Sequence, residues 1–578
     1  MDYKTNYESW LSDDFFDQET KNELLAIKDD EKEIEDRFYR SLEFGTAGLR
    51  GVIGAGTNRM NIYTVSKATQ GFANYLLKYK DEFAKESKDG IVIGYDSRFM
   101  SPEFAEITAL VLNANGIKAY VFDELRPVAL VSFAIRELNC MGGIVITASH
   151  NPPEYNGYKV YGDDGAQVPF PRDKEIIDFV EAVADFKEIK TMDKQDASAK
   201  GLFNEIGAEI DEKYDAKVLE QSFNKDESDF KIVYTPIHGS GNKPVRRILE
   251  KAGFKNVFVV KEQELPDSNF STVDYPNPED PKAFELGLKL AKELSADVIL
   301  GTDPDADRVG AIVKNKDGEY QILTGNMMGV LIQDYILSQR KESGILSSND
   351  AIISTVVSTN MAQVIAEDYG VYYENVLTGF KFIGEKILGF ENSTGDASKN
   401  FVFGFEESYG CLAGTYARDK DAIVATLLIC EMANLYNKQG MTIPEKLDSL
   451  YEKYGYYKED IKSITLKGIE GLKNIDRIMN DLRAETPTII DGVKVKTLTD
   501  YKTGEVKDLL TGDLSKTSLP ASNVLYFELE DGSWFCVRPS GTEPKIKIYF
   551  GIKGTSHDDA NSKMQKIMAG VMSNIKVD

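Results

Sequence analysis

Residues 142–160, GGIVITASHNPPEYNGYKV, pass from an apolar run to a polar tip with no transition between them. Gly142 to Ile146 read as a buried strand, and the Thr-Ala-Ser-His-Asn-Pro-Pro that follows is too turn-prone to continue it. A serine, Ser149, therefore stands at a strand's carboxyl end, with His150 beside it and Lys159 ten positions on. The same succession, an apolar strand emptying into a polar loop marked by glycine, recurs at GTDPDADRVG (301–310) and GFEESYG (404–410). Helical stretches lie between such strands, for example PEFAEITALVLNANG between GIVIGYDSR and KAYVFDE. That alternation predicts α/β domains with parallel or mixed sheets, whose ligands gather at the carboxyl ends of strands.

Working outward, the 578-residue chain is several times the size of one hydrophobic core, so several domains are expected. The pattern divides it into α/β domains at 1–204, 205–323 and 324–454 and a β-richer α+β domain at 455–578. Residues 17–42 read as one charged amphipathic helix, and the polar stretch near residue 200 reads as a linker. Net charge is -26, from 94 acids and 68 bases, a field that repels nucleic acid and anionic membranes. An anionic ligand would need a local cluster of bases. Four scattered cysteines suggest neither a disulfide framework nor a zinc site. The acidic first residues hold no apolar signal region, and no stretch has the length of a membrane span. A cytoplasmic protein is expected, monomeric or dimeric.

Each loop offers chemistry beside a plainer reading. Ser149, flanked by His150 and followed by Lys159, can carry a phosphoryl group or simply close a turn. Asp303, Asp305 and Asp307 alternate, and like charges so close resist joint ionisation unless a cation joins them. An EF-hand is excluded, because the sixth position is Arg308 and the twelfth Lys314. Magnesium suits the trio, with Arg308 placed for phosphate; a solvated acidic turn is the alternative. Glu406 and Ser408 can grip vicinal hydroxyls of a sugar or lie on an acidic surface loop. RPSGTEPKIKIY (538–549) gathers Arg538, Ser540, Gly541 and Thr542 as a phosphate nest or as a hairpin turn. Arg50 in FGTAGLRG and the bases of RDKDA (418–422), Lys420 among them, complete the supply.

These four motifs, in this order along nearly the whole chain, resemble the α-D-phosphohexomutase superfamily and, within it, the phosphoglucomutase branch. The resemblance implies four domains, three related α/β domains and a smaller C-terminal one, each lending a loop to a central cleft. It implies that Ser149 is the phosphoserine and, with Asp303, Asp305 and Asp307, a ligand of Mg2+. Lys159 or His150 would serve as general base. Arg50 and Arg308 would lie near the phosphoserine, Glu406, Ser408 and Lys420 would bind the sugar, and Arg538, Ser540, Gly541 and Thr542 the non-reacting phosphate. Sugar phosphates are the implied partners, and glucose 1,6-bisphosphate the implied intermediate and activator. TGFKF (378–382) resembles the glucomutase form of its motif, while the segment of about forty residues before FGTAGLRG also resembles a branch that contains pentose-phosphate mutases. Phosphomannomutase and phosphopentomutase activities stay open. An aspartyl-phosphate phosphatase, with Asp303 as nucleophile, would leave TASHNP unexplained.

Overall fold

The computed structural model describes residues 2–45, 48–223, 227–466, 468–540 and 545–575. It separates into two compact units: Met1–Leu323 with Ile383–Ser398 and Tyr409–Lys438, and Thr324–Phe382 with Lys399–Ser408 and Gln439–Asp578. Four sheets form the cores of four domains, three of them α/β and the last α+β.

The first unit holds two sheets. One comprises β1 (Gly48–Val52), β2 (Ile91–Tyr95), β3 (Ala119–Phe122), β4 (Gly142–Ile146), β5 (Tyr155–Tyr161) and β6 (Phe203–Ile206), in the order β1-β5-β4-β2-β3-β6. Strands β4, β2, β3 and β6 run parallel, and β5 turns back antiparallel to β4 and pairs with β1. Every residue of β4 is buried, as its unbroken apolar run requires of a strand covered on both faces. The second sheet comprises β7 (Ser228–Thr235), β8 (Phe254–Val259), β9 (Val298–Thr302), β10 (Val309–Lys314) and β11 (Tyr320–Leu323), in the order β11-β10-β9-β7-β8. Here β9 is parallel to β7, and β10 returns antiparallel. The Ser149 and Asp303 loops thus occupy the same topological position. Each is the hairpin that joins a parallel strand to the antiparallel strand beside it.

Two local readings of the sequence are corrected. The single helix over 17–42 is instead a pair, Gln18–Ala26 and Glu31–Phe38, preceded by Tyr3–Ser12. Asp30 breaks it, since its carboxylate accepts from the Glu33 N–H and caps the second helix. All three close on an aromatic cluster in which Trp10 and Phe16 stack at 4.2 Å. The stretch near residue 200 is no linker: it carries helix Lys194–Ala199 and then β6, the edge strand of the first sheet.

In the second unit β12 (Asp350–Thr355) pairs in parallel with β13 (Tyr372–Val376) and β14 (Asn400–Phe405), and the Glu406 loop follows β14. The C-terminal sheet is antiparallel, with Tyr456–Thr465, Lys545–Gly554, Trp534–Pro539, Leu525–Leu529 and Val493–Asp500 side by side in that order. Its core gathers Ile478, Phe527, Phe535, Ile548 and Phe550.

Candidate active site

Ser149 is 4 % exposed and holds a left-handed backbone, φ 54°. An L-residue pays for that conformation, roughly 1–2 kcal/mol, so the surroundings must impose it. Thr147 supplies one constraint: its hydroxyl accepts from the Ser149 N–H at 2.8 Å and lies 2.7 Å from Asp96 Oδ2 and 3.2 Å from Asp305 Oδ2. A side chain on Gly157 would strike the Thr147 carbonyl at 2.4 Å, so glycine lets β5 return this close to the loop. Ser149 Oγ stands 3.1 Å from Asp303 Oδ2 and 3.1 Å from His150 Nδ1. Ser149 and Asp303, 154 residues apart in sequence, meet at hydrogen-bond distance.

The aspartate loop is held by its carbonyls. Ser240 N–H donates to Pro304, Val128 N–H to Asp305 and Ala422 N–H to Ala306. Three segments thus satisfy the backbone and leave the carboxylates to face one another. Ligand oxygens of Asp303, Asp305 and Asp307 lie within 4.8 Å of one another, and all three residues are buried. Asp303 Oδ1 is occupied by the Asp307 and Arg308 N–H groups, leaving Oδ2 toward Ser149. Asp305 Oδ1 and Asp307 Oδ1 have no hydrogen-bond partner among the described residues. Buried carboxylate oxygens without partners are costly. The three carboxylates, with Ser149 Oγ beside Asp303, offer an all-oxygen donor set that fits a hard divalent cation. The local electrostatics agree. Burial, then Asp305 and Asp307, push the Asp303 carboxyl well above the usual carboxylate range. For Asp307 burial acts upward too, but Lys420, Lys159 and Arg308 outweigh it and hold the group below its usual value.

The bases gather here against the negative global charge. Lys159 Nζ lies 2.8 Å from Asp305 Oδ2, and Lys420 Nζ lies 3.0 Å from Asp307 Oδ2 and 3.1 Å from Asp419. Asp419 is steadied by the Tyr161 hydroxyl at 2.8 Å and the Gln167 amide at 2.9 Å. Arg50 Nη1 donates to Asn151 Oδ1 at 3.1 Å, and Arg308 pairs with Glu279. Burial, then Arg308 and Arg50, push the His150 pKa well below the usual imidazole value, so the ring facing Ser149 is neutral at pH 7. Arg418, in the run expected to supply bases, is fully buried. It donates to the carbonyls of Thr415 and Ala417 and pairs with Glu391.

The second unit carries the remaining candidates. Glu406 is 5 % exposed, and its Oε1 accepts from the Gly379 N–H at 2.9 Å, which ties TGFKF to this loop. Ser408 closes the same segment, half-buried. Burial and the adjacent Glu406 push the Glu407 carboxyl up to about 7, and Arg538 and Lys547 partly counter them. Arg538 and Ser540 lie at the end of strand Trp534–Pro539, where the Ser540 N–H donates to the Lys545 carbonyl at 2.8 Å. Gly541 and Thr542 lie outside the described residues.

Sequence reasoning missed Asp96 and Arg98. Both sit in YDSR directly after β2, another polar run at a strand's carboxyl end. The pattern that singled out the other loops was therefore present there as well.

A serine after β4, a carboxylate triad after β9 and two lysines paired with that triad, in a chain of three α/β domains and one α+β domain, define a class of multidomain α/β proteins with one buried polar site. Family models resolve it further. Phosphoglucomutase/phosphomannomutase alpha/beta/alpha domains I, II and III match residues 41–186, 212–318 and 324–454, and the C-terminal domain of that family matches 482–566. A phosphoglucomutase of Staphylococcus epidermidis is 36 % identical over 94 % of this chain and 94 % of its own. One of Staphylococcus saprophyticus is 35 % identical over 99 % of each. The chain belongs to the phosphoglucomutase/phosphomannomutase family. Its fold is also that of the Paramecium exocytosis-sensitive phosphoprotein pp63/parafusin in its open form, with TM-score 0.66 and 18 % identity over 93 % of this chain and 95 % of that one.

Proposed function

We propose that the chain is a phosphoglucomutase that interconverts α-D-glucose 1-phosphate and glucose 6-phosphate through a phosphorylated Ser149 and glucose 1,6-bisphosphate. The observation that carries this reading is the seat of Ser149: a strained, buried serine with its Oγ 3.1 Å from a carboxylate triad that has unpartnered oxygens. A sugar hydroxyl attacks phospho-Ser149: a new P–O bond forms as the bond to Oγ breaks, and the hydroxyl's proton passes to the base, Lys159 or His150, and from it to the serine oxygen. The bisphosphate then turns over and returns its other phosphoryl group to the serine. Such transfer asks the protein for positioning and charge neutralisation. Mg2+, held by Asp303, Asp305, Asp307 and an oxygen on Ser149, would withdraw negative charge from the transferring group. Lys159 and Lys420, anchored on Asp305 and Asp307, bring positive charge to the same end, with Arg50 and Arg308 beside them. We assign Lys420 to this end of the substrate. His150, neutral and 3.1 Å from Oγ, accepts the serine proton when the bisphosphate rephosphorylates the enzyme.

Glu406 and Ser408 take sugar hydroxyls, and Arg538 and Ser540, with Gly541 and Thr542, take the non-reacting phosphate. Glucose is favoured because the two staphylococcal relatives bear the name phosphoglucomutase and because TGFKF hydrogen-bonds to Glu406. The four buried free thiols suit the reducing cytoplasm. The test is kcat/KM on glucose, mannose, ribose and deoxyribose 1-phosphates, with Mg2+ and a trace of the matching bisphosphate. Glucose 1-phosphate should lead. A lead for mannose or a pentose would move the substrate and keep the chemistry; no turnover on any would sink the reading.

A further inference from the structure

Arg98 is among the largest fully buried side chains of the protein. Its guanidinium collects four backbone carbonyls from the Ser149 loop. Nη1 donates to Pro152 at 2.8 Å and Tyr155 at 3.0 Å, and Nη2 to Ser149 at 2.6 Å and Asn151 at 2.5 Å. Behind it, Asp96 Oδ2 lies 3.3 Å from Nε, and Asp96 Oδ1 accepts the Arg98 N–H and the Ser101 hydroxyl, each at 2.9 Å. The same Asp96 faces the Thr147 hydroxyl. The Phe270 ring lies 5.1 Å from the guanidinium carbon. Burying an arginine is expensive, and closing a surface turn does not need one. A planar fork of fixed donors can hold the Ser149 carbonyl and three carbonyls that follow it at once.

We propose that Arg98, locked by Asp96, is a positioning residue for phosphoryl transfer. It fixes the left-handed backbone of Ser149 and so aims Oγ. This rests on the reading of Ser149 as the phosphoryl acceptor. A loop freed by the loss of Arg98 relaxes toward ordinary backbone angles, and misplacement of a reacting atom by an ångström costs about 100-fold in rate. Sugar-phosphate binding does not run through this arginine, so KM should hold.

The experiment compares wild type, Arg98→Ala and Arg98→Lys, with kcat normalised to folded protein by circular dichroism. Ser149 phosphorylation by glucose 1,6-bisphosphate is counted by peptide mass spectrometry. Arg98→Ala should lose about 100-fold in kcat at nearly constant KM, and methylguanidinium should restore much of it while leaving wild type unchanged. Arg98→Lys keeps the charge and loses the fork, so it should also lose kcat at constant KM; it carries the test if the alanine variant does not fold. Wild-type kcat per folded molecule in either variant, or a loss indifferent to methylguanidinium, would overturn the proposal. A wild-type enzyme that takes no phosphoryl group on Ser149 would instead remove the reading beneath it.

Discussion

Replacing Thr147 with valine exchanges one hydroxyl for a methyl group in a fully buried side chain of the same outline. Three contacts go with the oxygen: the Ser149 N–H at 2.8 Å, Asp96 Oδ2 at 2.7 Å and Asp305 Oδ2 at 3.2 Å. The orphaned N–H costs roughly 1–3 kcal/mol, and loss of a hydrogen bond to a carboxylate roughly 1.5–3 kcal/mol. Asp96 keeps Ser101 and the Arg98 N–H, so the sum is taken near the low end, about 3 kcal/mol. Part of this falls on catalysis. The left-handed Ser149 costs about 1–2 kcal/mol by itself, and without its N–H acceptor the loop can relax out of it. One to two kcal/mol is a population factor of about 5–30, which sets the expected loss in kcat. The assay is glucose 1-phosphate turnover with Mg2+ and bisphosphate, set beside urea denaturation of the same variant. Thr147→Ser, which restores the oxygen, should recover most of both losses. Wild-type kcat in Thr147→Val, or a serine variant as impaired as the valine one, would refute the reasoning.

Ser149→Ala should lower turnover by about 10⁴-fold or more, while calorimetry still finds glucose 1-phosphate bound within a few-fold of wild type. Asp307→Asn removes one carboxylate charge from the triad, and Mg2+ affinity should fall by about 10–100-fold, read as a rise in the Mg2+ concentration for half activity. Chelation of wild type should abolish turnover, and added Mg2+ should restore it. Burial pushes the half-buried Glu459 carboxyl up to about 7, from 4.5 for a free side chain. The folded state therefore holds the proton more tightly, and stability falls as pH rises from 4.5 through 7. Glu459→Gln should then exceed wild type by at most about 3 kcal/mol at pH 8 and match it near pH 4, as followed by urea denaturation. Equal gains at both pH values would contradict that origin.

The candidate site was legible where a strand delivers chemistry directly into a loop. TASHNP and DPDADR could be read because β4 and β9 are apolar on both faces and end abruptly, so the polar residues after them stand out. Arg98 could not be read in the same way. Its partners are carbonyl oxygens 51 to 57 residues away, and backbone acceptors leave no mark on composition. Arg418 misled for a related reason, since a base inside a charged run looks solvent-facing until the carbonyls of Thr415 and Ala417 are seen around it. The polar stretch near residue 200 hid an edge strand because only Phe203 of β6 is buried. Likewise, the sequences of the first two domains do not reveal that their site loops are equivalent hairpins, because the equivalence lies in strand order.

The central claim is that Ser149 carries the phosphoryl group through each turnover. Rapid-quench measurement of transfer from enzyme phosphorylated at Ser149 to glucose 1-phosphate tests it most directly. The account predicts that phosphate leaves Ser149, appears in glucose 1,6-bisphosphate, and does so at least as fast as kcat. With the starting phosphate radiolabelled, label that stays on Ser149 through many turnovers, or that leaves more slowly than product forms, would contradict it.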